Sequence, residues 1–184
     1  MLYVTSLQRP HLGGNIDGGD PRTYYPSMWA WLVNHFRIRS VYDVGCGQGH
    51  ALACFQQLGC QITGLDGLPQ QWVPTGGSFL VHDLTAGPMI LPGVDLVWCC
   101  EVVEHVAADH LDSLLDTITC GRVLAMTHAV PEQGGWHHVN CQTADYWMRH
   151  IEARGMVLDT AATFHSRKLA AGYWAETGMI FVKP

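Results

Sequence analysis

Short apolar runs alternate with segments of helical periodicity along most of the chain. The run at residues 94–100 is continuous and apolar, which is typical of a strand that is buried on both faces. This alternation predicts a doubly wound α/β sheet. The predicted strands cover residues 40–45, 60–66, 78–84, 94–100, 121–128, 156–161 and 178–184, and the predicted helices cover residues 26–36, 49–59, 109–118 and 144–155.

Residues 1–25 lack this pattern and are rich in Gly, Pro, Asp and Asn. We expect them to form an irregular N-terminal lead-in. The 184 residues of the chain are typical of one domain, and no composition shift marks an internal boundary. The sequence therefore predicts a single domain over residues 1–184.

Charge and composition narrow the range of partners. Charged residues make up 14% of the chain and the formal net charge is −6, with no Lys/Arg run. Duplex nucleic acid is thus an unlikely partner, because its binding depends on neutralising phosphates. No apolar run approaches the roughly 20 residues of a membrane span. The seven cysteines form no C-x-x-C pair and the N-terminal residues lack a signal-peptide pattern, so we expect reduced thiols and a cytoplasmic location.

A glycine-rich turn follows the first predicted strand of the sheet. Asp43 ends the apolar run, and Gly45, Gly47 and Gly49 then occupy every second position before a helix. This arrangement marks a ligand site at the carboxyl ends of parallel strands. The spacing differs from the G-x-G-x-x-G of dinucleotide binders, and an aspartate at this point would repel a phosphate but suit a cation.

Two further acids follow the next two predicted strands. Asp66 lies about 20 residues past the glycines, where an acid accepts hydrogen bonds from ribose hydroxyls. Asp83 lies at the end of the following strand, where it would accept from an adenine amino group. The three acids would line one rim that suits a cation-bearing nucleoside.

On these residues the chain resembles the class I S-adenosylmethionine-dependent methyltransferases. The resemblance extends from about residue 42 to residue 156 and includes the segment VDLVWCCEVVEHV after the fourth predicted strand. It implies a Rossmann-like, seven-stranded, mostly parallel sheet with an antiparallel last strand, and S-adenosylmethionine as cofactor. The cofactor-binding positions that it implies are Asp43, Gly45, Cys46, Gly47, Gly49, Asp66, Gly67, Asp83, Leu84 and Cys100.

The segment EVVEHV carries the candidate catalytic chemistry. Glu101, Glu104 and His105 are spaced i, i+3 and i+4, so they would share one face of a helical turn. Together with His138, or His137 as second choice, they are plausible ligands for Mg²⁺. This set is similar to the E-x-x-E-H motif and later His of two O-methyltransferase groups, the ubiquinone-biosynthesis enzymes and those that methylate the terminal 2′-hydroxyl of small RNAs.

Interpretations without a metal stay open for these residues. His105 or His138 would act as general base, since a neutral imidazole titrates near neutral pH. Alternatively, Glu104 favours a helix N-terminus and His105 is a packing residue. The Gly-rich loop that follows offers Trp136, His138 and Asn140 as acceptor contacts, or is an ordinary surface loop.

The leading hypothesis is methyl transfer to an oxygen, less readily to a nitrogen, of a small or medium-sized acceptor. A nicotinamide-dependent oxidoreductase is disfavoured by Asp43 and by the glycine spacing. An inactive S-adenosylmethionine-binding module or partner subunit is the alternative, because the segment after the fifth strand is short. The lead-in, with Tyr24 and Tyr25, would be a lid over the cofactor or a flexible terminus. The oligomeric state is open.

Overall fold

The computed structural model describes residues 3–6, 8–69 and 74–184. Its centre is a seven-stranded sheet, and a separate two-stranded sheet lies near the N-terminus. The two strands of the small sheet are β1 (Tyr3–Thr5) and β2 (Gly13–Ile16). The strands of the large sheet are β3 (Ser40–Val44), β4 (Gln61–Asp66), β5 (Ser78–Val81), β6 (Leu96–Cys99), β7 (Val123–Met126), β8 (Val157–Leu158) and β9 (Met179–Val182).

The strand order in the large sheet is β5-β4-β3-β6-β7-β9-β8. Strands β3 to β7 are mutually parallel, and β9 is antiparallel to both β7 and β8. The predicted α/β fold, with a mostly parallel sheet and an antiparallel last strand, is confirmed. The strand order reverses between β3 and β6, which is where an open α/β sheet binds its ligand.

Helices cover both faces of the sheet. Trp29, Phe55 and Trp174 pack on one face, and Leu114 and Trp147 pack on the other. Both faces of the central strands are therefore buried, which explains the continuous apolar runs in the sequence. The helices are α1 (Pro26–Phe36), α2 (His50–Gln57), α3 (Leu111–Ile118), α4 (Ala144–Glu152), α5 (Thr160–Lys168) and α6 (Gly172–Thr177). None of the helices in the described ranges combines the length and the apolar content that crossing a membrane requires.

The C-terminal part differs from the prediction. The expected strand over residues 156–161 shortens to β8, because the Asp159 side chain accepts a 2.8 Å hydrogen bond from the Ala162 backbone N–H and caps α5. Helices α5 and α6 were not predicted, since their apolar residues do not repeat at a clear helical spacing. Thr143 caps α4 as predicted.

The lead-in is not irregular throughout. Its described residues include β1 and β2, which pair antiparallel, and a short 3₁₀ turn at Pro21–Thr23 that Asp20 caps. The composition of Gly13–Ile16 gives little strand propensity. Contacts with the rest of the chain therefore place this segment. The single-domain assignment over residues 1–184 stays a prediction.

Candidate cofactor and acceptor site

A cavity of about 540 Å³ lies at the carboxyl ends of β3, β4 and β6, beneath the N-terminal segment. The structure brings most of the predicted cofactor residues into its wall. Gly49 is the exception: it does not line the cavity but precedes α2 with a left-handed backbone at φ 75°. The predicted residues that do line it are Asp43, Gly45, Cys46, Gly47, Asp66, Gly67, Asp83, Leu84 and Cys100.

The glycine turn is held by the next strand. Gly45 has φ 73°, and a Cβ there would overlap the Val102 side chain. The Gly47 N–H donates to Asp66 Oδ2 at 3.0 Å, and the Leu68 N–H donates to Asp66 Oδ1 at 2.9 Å. One carboxylate thus orders the loops after β3 and β4, and it stands at the rim where ribose hydroxyls would lie.

Asp83 follows β5 and has a partner that the sequence did not suggest. Its Oδ1 accepts from the Thr85 N–H at 2.9 Å and from Thr85 Oγ1 at 2.7 Å. Its Oδ2 lies 2.9 Å from His11 Nε2. Burial opposes ionisation, but the hydrogen bonds from His11 and Thr85 outweigh it and lower the Asp83 pKa to about 2. His11 lies 72 positions away in sequence, and no local pattern marked it.

Residues 8–20, which we call the strap, cross the mouth of the cavity. Leu12 is 8% exposed and packs so closely on Gly67 that a Cβ there would overlap it. The Gln48 side chain accepts from the Gly18 N–H at 2.9 Å, and Trp136 Nε1 donates to the Pro10 carbonyl at 3.1 Å. The strap therefore contacts the loop after β4, the glycine turn and the loop after β7.

The two tyrosines that follow the strap differ in position. Tyr24 lines the cavity, as a lid would require. Tyr25 does not: its side chain is buried in the core, where its hydroxyl donates to the Arg22 carbonyl and accepts from the Trp174 N–H. The prediction that Tyr25 packs on the cofactor is wrong.

The E-x-x-E-H segment does not form the predicted α-helical turn. After β6, Glu101 adopts a left-handed backbone with φ 56°, and only Val103–His105 forms a 3₁₀ turn. The three predicted side chains consequently do not share one face. Among the described residues, Glu104, His105 and His138 have ligand atoms that all lie within 4.8 Å of one another, and Glu101 is not part of this group.

Backbone hydrogen bonds bring His138 to Glu104. The N–H groups of Val139 and Asn140 both donate to the Glu104 carbonyl, at 2.9 and 3.0 Å. Asn140 Nδ2 donates to the Val106 carbonyl at 3.1 Å. Asn140 is therefore buried and positions the loop instead of contacting an acceptor. The second-choice ligand His137 does not line the cavity, and its ring lies 6.4 Å from that of His11.

The His138 ring is fixed in one orientation. Its Nδ1 lies 3.1 Å from the Gln133 carbonyl, and the carbonyl can only accept, so Nδ1 carries the proton. In the neutral ring, Nε2 is then free to accept a proton or to bind a metal. A Cβ at Gly135 would overlap this ring, so only glycine leaves it in place.

Comparisons with known proteins bear on the family and the fold. Residues 42–126 match the family described as a methyltransferase domain. Over this segment the chain resembles a methyltransferase domain, and its fold is that of class I S-adenosylmethionine-dependent methyltransferases. No curated protein matches the chain significantly. The similarity to ubiquinone-biosynthesis and RNA-methylating enzymes stays a hypothesis.

Solved structures with the same fold belong to methyltransferases. A TehB-like S-adenosylmethionine-dependent methyltransferase from Corynebacterium glutamicum has 18% identity and a TM-score of 0.64, with 91% of each chain covered. A 1,6-didemethyltoxoflavin-N1-methyltransferase from Burkholderia thailandensis has 17% identity and a TM-score of 0.63, covering 91% of this chain and 82% of that one. The magnesium protoporphyrin IX methyltransferase from Synechocystis, with bound S-adenosylmethionine, has 18% identity and a TM-score of 0.62, covering 87% and 78%.

Within the methyltransferase domain, the Glu104 group has no positive partner among the described residues. Both carboxylate oxygens of Glu104 and Nδ1 of His105 are buried without a hydrogen-bond partner. Burial, and then the charge of Glu101, raise the Glu104 pKa to about 8, while burial raises the Glu101 pKa to about 7. Burial, and then the His138 and His137 rings, lower the His105 pKa to about 4. Polar atoms of this kind are costly to bury unless a ligand forms hydrogen bonds or coordination bonds with them.

The buried carboxyl of Asp43 leads to a stability prediction for the cofactor-free domain. Asp43 is 3% exposed, and burial followed by the charge of Asp66 raises its pKa from 3.8 to about 8. The folded state therefore holds this proton between about pH 4 and pH 8, where the unfolded state has lost it, so wild-type stability falls as pH rises through that window. Asp43→Asn removes this penalty. We expect its Tm to exceed that of the wild type by about 5 °C at pH 8, with little difference at pH 4.

Thermal unfolding of the cofactor-free protein across this pH range measures the effect. Asp116→Asn, an exchange on the exposed side of α3, is the matched control and should give no pH-dependent gain. A constant Tm difference between Asp43→Asn and the wild type from pH 4 to pH 8 would contradict the prediction.

Proposed function

We propose that this protein transfers a methyl group from S-adenosylmethionine to an oxygen, less readily to a nitrogen, of a small or medium-sized acceptor. One observation carries the proposal: the cavity with the proposed cofactor residues is also lined by Glu104, His105 and His138, of which Glu104 is buried. S-adenosylmethionine supplies an electrophilic methyl group. A polar group beside that methyl would hold the acceptor and receive its proton.

The strand-end residues would hold the cofactor in a defined direction. Asp83 and Leu84 would bind the adenine, Asp66 would bind the ribose hydroxyls, and the turn at Gly45 and Gly47 would approach the amino-acid end. This direction places the methyl group near Cys100 and the segment after β6. The cofactor's sulfonium suits these surroundings, because the cavity wall is rich in carboxylates.

Methyl transfer to a hydroxyl releases one proton, and an imidazole is the natural acceptor. Nε2 of His138 is free because Nδ1 is bonded to the Gln133 carbonyl. His105 is buried and its pKa is lowered to about 4, so it is neutral at pH 7. Its low pKa makes His105 a weak general base, and its ring lies 5.1 Å from that of His138.

The same group fits a divalent cation such as Mg²⁺. Glu104, His105 and His138 would supply the protein ligands, and the unpartnered oxygens of Glu104 would gain the positive charge they lack. When bound, the metal would lower the pKa of a coordinated acceptor hydroxyl. The geometry gives Glu101 no place among these ligands.

Calorimetric titration with S-adenosylmethionine and S-adenosylhomocysteine, each with and without Mg²⁺, tests the proposal. Micromolar binding would support it and justify an acceptor screen. That screen should include nitrogen acceptors, because one structural neighbour is described as an N1-methyltransferase. Binding without turnover of any acceptor would favour the inactive binding module or partner subunit. Absence of binding to either nucleoside would reject the cofactor assignment.

We also infer that the strap is a lid over the bound cofactor. It spans the cavity and is tied to Asp83 through His11 and to the loop after β7 through Trp136. Cofactor exchange would require these contacts to open. The loop after β7 and the strap would then move together, since Trp136 of the loop is hydrogen-bonded to the Pro10 carbonyl of the strap.

His11→Ala is expected to speed the release of S-adenosylhomocysteine about 10-fold, because it removes one charge-assisted hydrogen bond of the closed strap. Stopped-flow tryptophan fluorescence measures the rate, with Trp136 as a reporter at the strap. His35→Ala, on the outer surface of α1, is the control and should leave the rate unchanged. A higher cofactor affinity in His11→Ala would contradict the lid and indicate that His11 competes with adenine for Asp83.

A further inference from the structure

The charge of the cavity wall is strongly one-sided. Among the described residues that line it, six are carboxylates and none is Lys or Arg. The cofactor brings a single net positive charge, from a sulfonium, an ammonium and a carboxylate. Because burial raises the pKa of Asp43 and of Glu104 to about 8, these two are largely protonated at pH 7, and the negative charge of the wall lies on the other acids. The six are Asp20, Asp43, Asp66, Asp83, Glu101 and Glu104.

Half of these carboxylates are already assigned to the cofactor. Asp66 accepts two backbone N–H groups, Asp83 is paired with His11, and Asp43 is buried beneath the glycine turn. Glu104 is 0% exposed and aims two unpartnered oxygens at the cavity, where a metal would fit. Asp20 and Glu101 have no such role, and both line the cavity, as does the exposed Tyr24.

We call the surface formed by Asp20, Glu101 and Tyr173 the acidic mouth. The left-handed backbone of Glu101 is held by its N–H, which donates to Thr127 Oγ1 at 2.7 Å. Glu101 Oε1 is buried without a partner in the described part of the chain. Asp20 Oδ2 lies 3.5 Å from the Tyr173 hydroxyl. Burial and the charge of Asp20 raise the pKa values of Glu101 and Tyr173, whereas the charge of Arg22 lowers both.

The ring of Tyr173 already holds one cation. The Arg22 guanidinium lies over it, with Cζ 4.0 Å from the ring centroid, and Nη2 of the same residue lies 3.7 Å from Glu176 Oε1. Arg22 is thus engaged beside the mouth and is not among the lining residues. The Tyr173 ring thus shows that a cation is accommodated here, and the carboxylates Asp20 and Glu101 would attract an organic ammonium group.

We infer that the acceptor is a cationic molecule, an amine whose ammonium group binds at the acidic mouth while its hydroxyl reaches the Glu104 group. This inference rests on the proposed function. Glu101 is then a residue that selects the acceptor and not a metal ligand. A carboxylate- or phosphate-bearing acceptor would be repelled by Asp20 and Glu101 in a partly enclosed cavity, where repulsion is weakly screened.

Three catechols that differ only in the end of the side chain provide the probes. They are dopamine, which carries an ammonium group, 3,4-dihydroxyphenylethanol, which is neutral, and 3,4-dihydroxyphenylacetate, which is anionic. Each is titrated calorimetrically into protein saturated with S-adenosylhomocysteine. Dopamine is expected to bind at least about 10-fold more tightly than the acetate, with the neutral probe between them.

Glu101→Gln should remove most of the advantage of dopamine over the neutral probe and leave the affinity for S-adenosylhomocysteine unchanged. Glu152→Gln, on the exposed face of α4, is the matched control and should retain the full discrimination. A merely structural role of Glu101 would instead weaken all three probes alike.

Equal affinities, a preference for the anion, or no binding of any probe at millimolar concentration would overturn the inference. Each of these results leaves the proposed function standing, provided that S-adenosylhomocysteine binds. Failure of S-adenosylhomocysteine to bind the wild type would instead reject the proposed function itself.

Discussion

Asp66→Ala is expected to weaken S-adenosylmethionine binding about 100-fold, because it removes a carboxylate with two functions. Asp66 would accept both ribose hydroxyls, and it holds the glycine turn through the Gly47 N–H at 3.0 Å. Each hydrogen bond to a charged group contributes about 1.5 kcal/mol or more, so losing two accounts for the factor. Calorimetry with S-adenosylmethionine and S-adenosylhomocysteine measures the loss.

The control for this substitution must lie far from the cavity. Asp116→Ala removes an exposed carboxylate that pairs with Arg154 on another surface, and it should bind both nucleosides as the wild type does. Circular dichroism establishes that Asp66→Ala is folded. A folded Asp66→Ala protein with wild-type affinity would show that the cofactor does not use this edge of the sheet.

Glu104→Gln is expected to weaken Mg²⁺ binding about 100-fold and to lower the methyl-transfer rate by a similar factor, because an amide cannot replace a buried anionic ligand. The exchange keeps the shape of the side chain, which is 0% exposed. Mg²⁺ titration of the protein loaded with S-adenosylhomocysteine measures the first effect without requiring a known acceptor. Turnover measurements follow once an acceptor is identified.

Glu101→Gln is the matched partner in this experiment. Glu101 lies three residues earlier but outside the group whose ligand atoms lie within 4.8 Å. The Glu101→Gln variant should therefore keep the Mg²⁺ affinity of the wild type, which the Glu104→Gln variant loses. Equal losses of Mg²⁺ affinity in both variants would indicate that Glu101 is also a metal ligand. If the wild-type protein binds no Mg²⁺, the mechanism that stands is the one in which His138 is the general base and no metal takes part.

The fold and the cofactor half of the site could be predicted from the sequence. Apolar runs, helical periodicity and the glycine turn are local features, and each identifies an element within a few residues. The carboxyl ends of parallel strands meet at one edge of a sheet, so the positions of Asp43, Asp66 and Asp83 at successive strand ends are enough to predict that they lie together. The structure places all three in one cavity wall.

The proposed catalytic half of the site could be predicted only in part. The spacing of Glu101, Glu104 and His105 suggested a common face, but that argument assumes an α-helix. The left-handed backbone of Glu101 and the 3₁₀ turn at Val103–His105 break the assumption. Spacing alone cannot reveal such a turn, since the backbone angle is set by contacts such as the bond to Thr127.

The sequence by itself determined the strands and helices from α1 to α4, the last strand, the glycine turn and the strand-end acids, because these depend on local periodicity and on the parallel sheet. Only the tertiary structure decided which histidines reach the site. His138 arrives because two backbone N–H groups beyond it bond to the Glu104 carbonyl, and His11 arrives because the strap crosses to Asp83. Both contacts join segments distant in sequence, and they form only when the folded sheet brings their partners together.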